Sequence, residues 1–218
     1  MKICFSLWGK NKKYLYGAVK NAALSKIHFP EWECMFFVDE SVDDETLSAI
    51  DSHNNINIVK DGFQKFENRD NNEYGKSGGY FWRFIPMFES NDIIISRDVD
   101  SRLSERDRIS VYEWLNSDKN FHTIRDHPVH RKNIQAGMFG VRNGILVPYK
   151  DLFFKFVGGS NSGTDEDFLN NAIYPLVSNS IFVHDEFRGF NKINHTRNGY
   201  EYIGRIFNEH DIAEDGMG

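Results

Sequence analysis

The chain of 218 residues is short of several things that would place it quickly. It has only two cysteines, Cys4 and Cys34, each inside an apolar run. That is too few for a disulfide scaffold, and the pattern predicts buried thiols in a reducing compartment. A Cys4–Cys34 bridge between neighbouring strands is the weaker alternative. It has no excess of basic charge: 26 Lys and Arg against 32 Asp and Glu give a net charge of −6. This excludes nucleic-acid binding by broad phosphate neutralisation. It leaves room for a small phosphate-bearing ligand held by a metal ion and a few placed cations.

No uncharged run reaches the length needed to span a membrane, and the apolar stretch at the N-terminus is too short for a signal peptide. The expected location is the cytoplasm. Neither G-x-G-x-x-G nor G-x-x-x-x-G-K-[ST] occurs, which argues against a dinucleotide oxidoreductase or a P-loop NTPase. His122, His127 and His130 lie close in sequence, but their spacing fits no zinc pattern and both cysteines are distant. There is no internal repeat, no low-complexity segment and no linker that would split the chain.

What is present is an α/β pattern. Ile3 to Leu7 reads as a buried strand and residues 12–25 as a helix. Cys34 to Val38 is a second strand, Asp43 to Ile50 a helix with an acidic first turn, and Ile56 to Val59 a third strand. Alternation of this kind implies parallel strands with crossover helices and a ligand beyond their carboxyl ends. Trp8-Gly9 and Asp39 then fall on the ligand side. Residues 60–79, polar and rich in Gly and Asn, read as a loop over that side. Tyr80 to Phe88 reads as a buried helix that Pro86 would kink. Ile93-Ile94-Ile95 is the clearest central strand. Residues 105–117, 148–157 and 165–174 read as helices, Phe121 to Ile124 and Ile181 to Val183 as strands, and Ala136 to Val141 as a strand or turn.

The chemistry concentrates where the central strand ends, in Arg97-Asp98-Val99-Asp100-Ser101-Arg102. Two carboxylates at i and i+2 of an extended segment share a side. Brought together in a partly dry crevice they repel, and an oxygen-preferring dication, Mn²⁺ or Mg²⁺, would offset that. The competing reading pairs the two aspartates with Arg97 and Arg102 on a surface turn.

This run resembles the D-x-D motif of A-type-fold nucleotide-sugar glycosyltransferases. Further segments are similar to the same family. Tyr80-Phe81-Trp82-Arg83-Phe84 resembles its donor-contacting aromatic–Arg helix, and Gln135 to Gly140 its small-residue segment. Thr164 to Asn170 resembles the D-Q-x-x-L-N segment of bacterial lipo-oligosaccharide galactosyltransferases, with Glu166 where that pattern has Gln. Capsule and large-virus glycosyltransferases look alike at this level.

The resemblance implies one α/β domain over residues 1–218, with a Rossmann-like, mixed but mainly parallel sheet flanked by helices. Residues 1–102 would bind the nucleotide and 103–218 the acceptor. It implies a hexosyltransferase using Mn²⁺ or Mg²⁺ and a nucleotide sugar, UDP-linked for preference, with a glycan or glycoprotein acceptor. Asp98 and Asp100 would hold the metal, with His184 as third ligand ahead of His195 and His210. Ser6, Leu7, Trp8, Asp39, Tyr80, Arg83, Asp98 and Val99 would meet the donor. Asp167, Asp165 and Glu166 are the candidate catalytic carboxylates, although acidic residues after Thr164 also suit a helix first turn. Two other readings of the carboxylate pair stay open. One is a metal-dependent nucleotidyltransferase or phosphohydrolase. The other is a non-catalytic glycan-binding module.

Overall fold

A computed structural model describes residues 1–60, 71–72, 75–76, 79–158 and 164–214. Most of the expected loop over 60–79 lies outside the described residues. A seven-stranded sheet organises the chain. Its strands are β1 (Lys2–Leu7), β2 (Glu33–Val38), β3 (Ile56–Val59), β6 (Ile94–Arg97), β7 (Phe121–Arg125), β8 (Met138–Val141) and β9 (Ile181–Asp185), in the order β3-β2-β1-β6-β8-β7-β9. Two short pairs stand apart from it, β4 (Asn71–Asn72) with β5 (Gly75–Lys76), and β10 (Ile206–Phe207) with β11 (Ala213–Glu214).

All neighbours in the sheet are parallel except β8, which runs against both β6 and β7. The sheet is therefore mixed and mainly parallel, and it draws strands from both halves of the chain. Between the strands lie α1 (Lys12–His28), α2 (Asp44–Asp51), α3 (Gly79–Trp82), α4 (Glu105–Leu115), α5 (Lys150–Gly158), α6 (Asp165–Phe168) and α7 (Tyr174–Val177). No helix among the described residues is long and apolar enough to cross a membrane.

Period-two alternation sorts the strand residues between two cores. Ile3, Phe5 and Leu7 pack with Phe36, Val38, Ile95, Val111 and Trp114 under α1, α2 and α4. Cys4 falls on the other face with Trp82, Phe84, Phe88, Phe139, Phe153 and Phe168. Most of the 19 phenylalanines thus serve packing, at roughly 1.5–3 kcal/mol for each fully buried ring. The same alternation corrects the disulfide alternative. Register places Cys4 beside Met35 and Cys34 beside Ile3, so the two thiols sit on opposite faces and both are free. Burial pushes the Cys34 thiol up to about 12 and raises Cys4 as well, so neither is a ready nucleophile.

Two expectations need correction, and one helical reading gains a π-turn. Tyr80 to Phe88 is not one helix: α3 ends at Trp82, and a separate 3₁₀ turn covers Ile85–Phe88 with Pro86 at its start. Proline has no amide hydrogen to continue α3 but suits a first turn. Residues 165–174 form α6, a π-turn over Leu169–Ile173, and then α7, which starts beside Pro175. The central strand begins at Ile94 and runs through Arg97 rather than ending at Ile95.

Candidate active site

Asp98 and Asp100 leave the carboxyl end of β6 in a turn, not in extended backbone, closed by Ser101 N donating to Asp98 O at 3.2 Å. The turn is pinned from below. Asn21, fully buried on α1, donates through Nδ2 to Val99 O (3.1 Å) and Ser101 O (2.9 Å) and accepts from Leu103 N (3.0 Å). Gly17 lets α1 approach, because a Cβ there would stand 2.1 Å from Val99 O. From the C-terminal side, Phe207 N donates to Asp100 O at 2.8 Å.

The flanking arginines do not neutralise the pair. Arg97 turns to the opposite face and binds Asp107 of α4 through Nε (2.8 Å) and Nη2 (2.6 Å), both residues being buried. Arg102 binds Asp211 at 2.9 Å. The surface-turn alternative therefore fails for both residues. The cations that do face the pair come from elsewhere. Lys13, at the start of α1, places Nζ 3.6 Å from Asp100 Oδ2 and 2.7 Å from Glu214. Burial, then the neighbouring Asp98 carboxylate, push Asp100 up to about 6 against the pull of Lys13.

Arg83 is the centre of the arrangement. It is 6% exposed, and its guanidinium pairs with Asp98 through Nη1 and with Asp165 through Nη2 at 3.0 Å. Nη1 also donates to Arg97 O at 3.1 Å, and the backbone N of Arg83 donates to Ser6 Oγ at 3.0 Å. Burial alone would lower the Arg83 pKa, but Asp98 and Asp165 outweigh it and hold it above its usual value. Asp165 is raised by its own burial and by Asp98, with Arg83 opposing. Arg83 thus ties three elements together: its backbone amide holds β1, and its guanidinium joins the end of β6 to α6 in one charged floor.

The remaining predicted residues divide. Glu166 is half-buried and near the same floor. Burial first, then Asp165, raise its pKa, while Lys132 lowers it. With its amide turned to satisfy both atoms, Gln135 donates to Glu166 Oε1 and accepts from Lys132 N, each at 3.1 Å. Asp167 faces away. It forms a reciprocal cap with Thr164, accepting from Thr164 N at 3.0 Å while its own N donates to Thr164 Oγ1 at 3.2 Å.

Trp8 stands half-buried at the end of β1, edge-on to Tyr80 (5.1 Å) and Trp82 (5.8 Å), with Gly79 pressed against its ring. Asp39 holds the β2 end: it accepts from Ser41 N at 3.0 Å, and Ser41 Oγ in turn accepts from Gly9 N at 2.6 Å. The side chains of Leu7 and Val99 point into the core, leaving only their backbone at the edge.

His184 is not brought to the turn. It lies on β9, three strands from β6, about 14 Å at the usual spacing. Its Nε2 meets Glu113 at 2.8 Å and its Nδ1 meets His122 at 2.9 Å, so both ring nitrogens are engaged. Burial lowers its pKa. Among the described residues no group of three or more His, Cys, Asp or Glu is arranged to hold a metal ion. A cation here would take Asp98 and Asp100 and complete its shell with ligand oxygens and water, as Mg²⁺ and Mn²⁺ commonly do. The donor set fits: two hard carboxylates, one of them raised in pKa by burial and then by its neighbour's charge.

Sequence reasoning missed Lys13 and Asn21. In the small-residue segment, Gly137 lies against the site: a Cβ on it would fall 1.8 Å from Asp98 Oδ2. The clash is with the end of a movable side chain, so Gly137→Ala is expected to change stability little. It would push the Asp98 carboxylate off Arg83 and, where Asp98 and Asp100 hold a divalent ion, weaken that binding by roughly tenfold, as disturbed support around a metal ligand does. Mn²⁺ titration followed by electron paramagnetic resonance checks this; unchanged affinity would refute it.

No family model matches the chain, and no curated protein matches it. Solved structures do. The galactosyltransferase LgtC, in complex with donor and acceptor sugar analogues, aligns over 84% of this chain and 73% of its own, with TM-score 0.52 and 17% identity. An active-site mutant of LgtC aligns with the same TM-score and identity. The bifunctional glycosyltransferase WbbM aligns over 83% of this chain and 38% of its own, with TM-score 0.52 and 9% identity. At such identities the likeness speaks for architecture alone. With its seven-stranded sheet reversed only at β8, the chain has the A-type fold of nucleotide-sugar glycosyltransferases.

Proposed function

We propose that this chain transfers a hexose from a nucleotide sugar, UDP-linked for preference, to a hydroxyl of a glycan or glycoprotein. The observation that carries this is the Asp98 carboxylate at the end of β6, held by the buried guanidinium of Arg83 within that fold. Asp98 and Asp100 would hold Mn²⁺ or Mg²⁺. A divalent ion so placed supplies Lewis-acid stabilisation of the charge on the departing diphosphate.

The protein's own groups do the rest. Arg83 is a fixed cation that needs no reorganisation as charge builds nearby. Trp8 offers a ring for the base and Asp39 a carboxylate for base or ribose. The base end would lie in the part over residues 1–102, the acceptor in the part over 103–218. Of the three candidate carboxylates, Asp165 orients Arg83 and Asp167 caps α6. Glu166, which accepts from Gln135, is left to face the transferring sugar or the acceptor hydroxyl, with a raised pKa suited to proton exchange.

A thermal-shift series of nucleotides, with and without Mn²⁺, tests the reading. A nucleoside diphosphate at a hundred times its Kd stabilises by about 2.7 kcal/mol. For a chain of this size that is a rise in Tm of roughly 5–10 °C, and it should require the metal. A response to pyrophosphate alone that equals the response to UDP would favour a nucleotidyltransferase or phosphohydrolase. A response to saccharide alone that survives chelation would favour a binding module.

A further inference from the structure

The protein has a cavity of about 360 Å³ between the β9 edge, α7 and the turn after β9. Arg125, Asn133, Tyr174, Arg188, Phe190 and Asn191 line it. We propose that it is an acceptor subsite for an anionic saccharide, one carrying a carboxylate or a phosphate, and this rests on the glycosyltransferase reading above.

Four observations point there. First, the surroundings are cationic in a chain of net charge −6. Arg125 and Arg188 both line the cavity, and Arg188 donates to the Arg131 carbonyl at 3.4 Å. Arg125 is paired with Asp185, whereas among the described residues Arg188 has no carboxylate within salt-bridge distance. Asp185, at the end of β9, is already saturated. It accepts from Arg125 Nε at 2.5 Å, from Phe187 N at 2.8 Å and from Arg188 N at 2.9 Å.

Second, the lining suits a sugar. Arg125 covers one face of the Phe190 ring at 4.9 Å, and the ring is still 52% exposed. An aromatic face with amides and a guanidinium around it is the usual make-up of a saccharide site. Third, the volume is right for one or two hexose rings. Fourth, the cavity lies within reach of the reaction centre. The segment 131–137 runs from Arg131 and Asn133 at the cavity, past Gln135 against Glu166, to Gly137 against Asp98. Six residues reach at most about 20 Å. An acceptor of two to four sugars with its reactive end at Glu166 can therefore place an acidic unit in the cavity.

Direct binding to the whole protein, by isothermal calorimetry or saturation-transfer NMR, tests this without turnover. The probes are digalacturonate, glucose 6-phosphate, lactose and inorganic phosphate. The expected order is digalacturonate or glucose 6-phosphate well ahead of lactose and of phosphate. Arg188→Ala should weaken the anionic saccharides by roughly tenfold, as loss of a charge-assisted hydrogen bond does. Arg188→Lys should restore part of it, and Phe190→Ala should weaken all saccharides alike. Lactose binding as tightly as digalacturonate overturns the anionic class, and phosphate matching glucose 6-phosphate overturns the saccharide. Anionic binding that ignores both Arg188 and Phe190 overturns the site. Asp98→Ala should keep this binding while losing metal-dependent nucleotide binding, so the failure of one reading is visible apart from the other.

Discussion

Asp98→Ala and Asp100→Ala are each expected to lower metal-dependent turnover of the nucleotide sugar by at least about 10²-fold, in the range seen when one stabiliser of developing charge is removed. Each variant deletes half of the oxygen pair that would hold the cation. The losses should differ in stability. Asp98 is partly exposed, and Arg83 keeps Asp165 when Asp98 is gone, so folding should change little. Asp100 is more buried beside Lys13, and relief of its repulsion with Asp98 can even raise Tm slightly. Activity lost with Tm kept is the signature of a functional pair. Hydrolysis of the donor without acceptor, followed by release of nucleoside diphosphate, measures it. Turnover unchanged in both variants would remove these residues from the chemistry.

Asp107→Ala is expected to have the largest structural effect of any single substitution near the site. Arg97 and Asp107 are both 1% exposed and meet through two parallel hydrogen bonds. Removing the carboxylate strands a buried guanidinium, which typically costs about 3–5 kcal/mol. At about 2–4 °C per kcal/mol for a chain of this length, Tm should fall by roughly 6–20 °C. The penalty lies in the orphaned charge rather than in the pair itself. Arg97→Met combined with Asp107→Leu should therefore recover most of the loss. Denaturant unfolding of the two variants decides it, and a cost below about 1 kcal/mol for Asp107→Ala would contradict this account.

The first half of the fold was legible because β1 and β2, parallel and mostly buried, read as apolar runs, and the edge strand β3 keeps three apolar residues of four. Ile3 to Leu7, Cys34 to Val38 and Ile56 to Val59 all occur as strands, at most one residue longer than read. Asp43 was readable as the start of α2, and it caps that helix by accepting from Thr46 N at 2.8 Å. Strand direction is not written in a local pattern, so the reversal of β8 was invisible. Phe139 and Val141 look the same in either orientation.

The site was half legible. The pair at the end of β6 was found because a buried strand running into acids needs a reason. Arg83 was singled out, but its partner Asp165 lies 82 residues away, and only the fold reveals that contact. The Thr164–Asp167 cap could have been read with more weight, since Thr followed three residues later by an acid is a helix-start signal in its own right. His184 misled because a histidine after a strand looks like a ligand. Glu113 and His122, which occupy it, sit on α4 and β7. Asn21 carried a signal that was passed over: a lone amide on the apolar face of α1 needs hydrogen-bond partners, and it found them in the D-x-D turn.

A crystal of this protein soaked with MnCl₂ and UDP tests the central claim most directly. The account predicts manganese bound by carboxylate oxygens of Asp98 and Asp100, the diphosphate on the metal, and the uracil beside Trp8. Manganese absent from that turn, with UDP bound elsewhere or not at all, would contradict it.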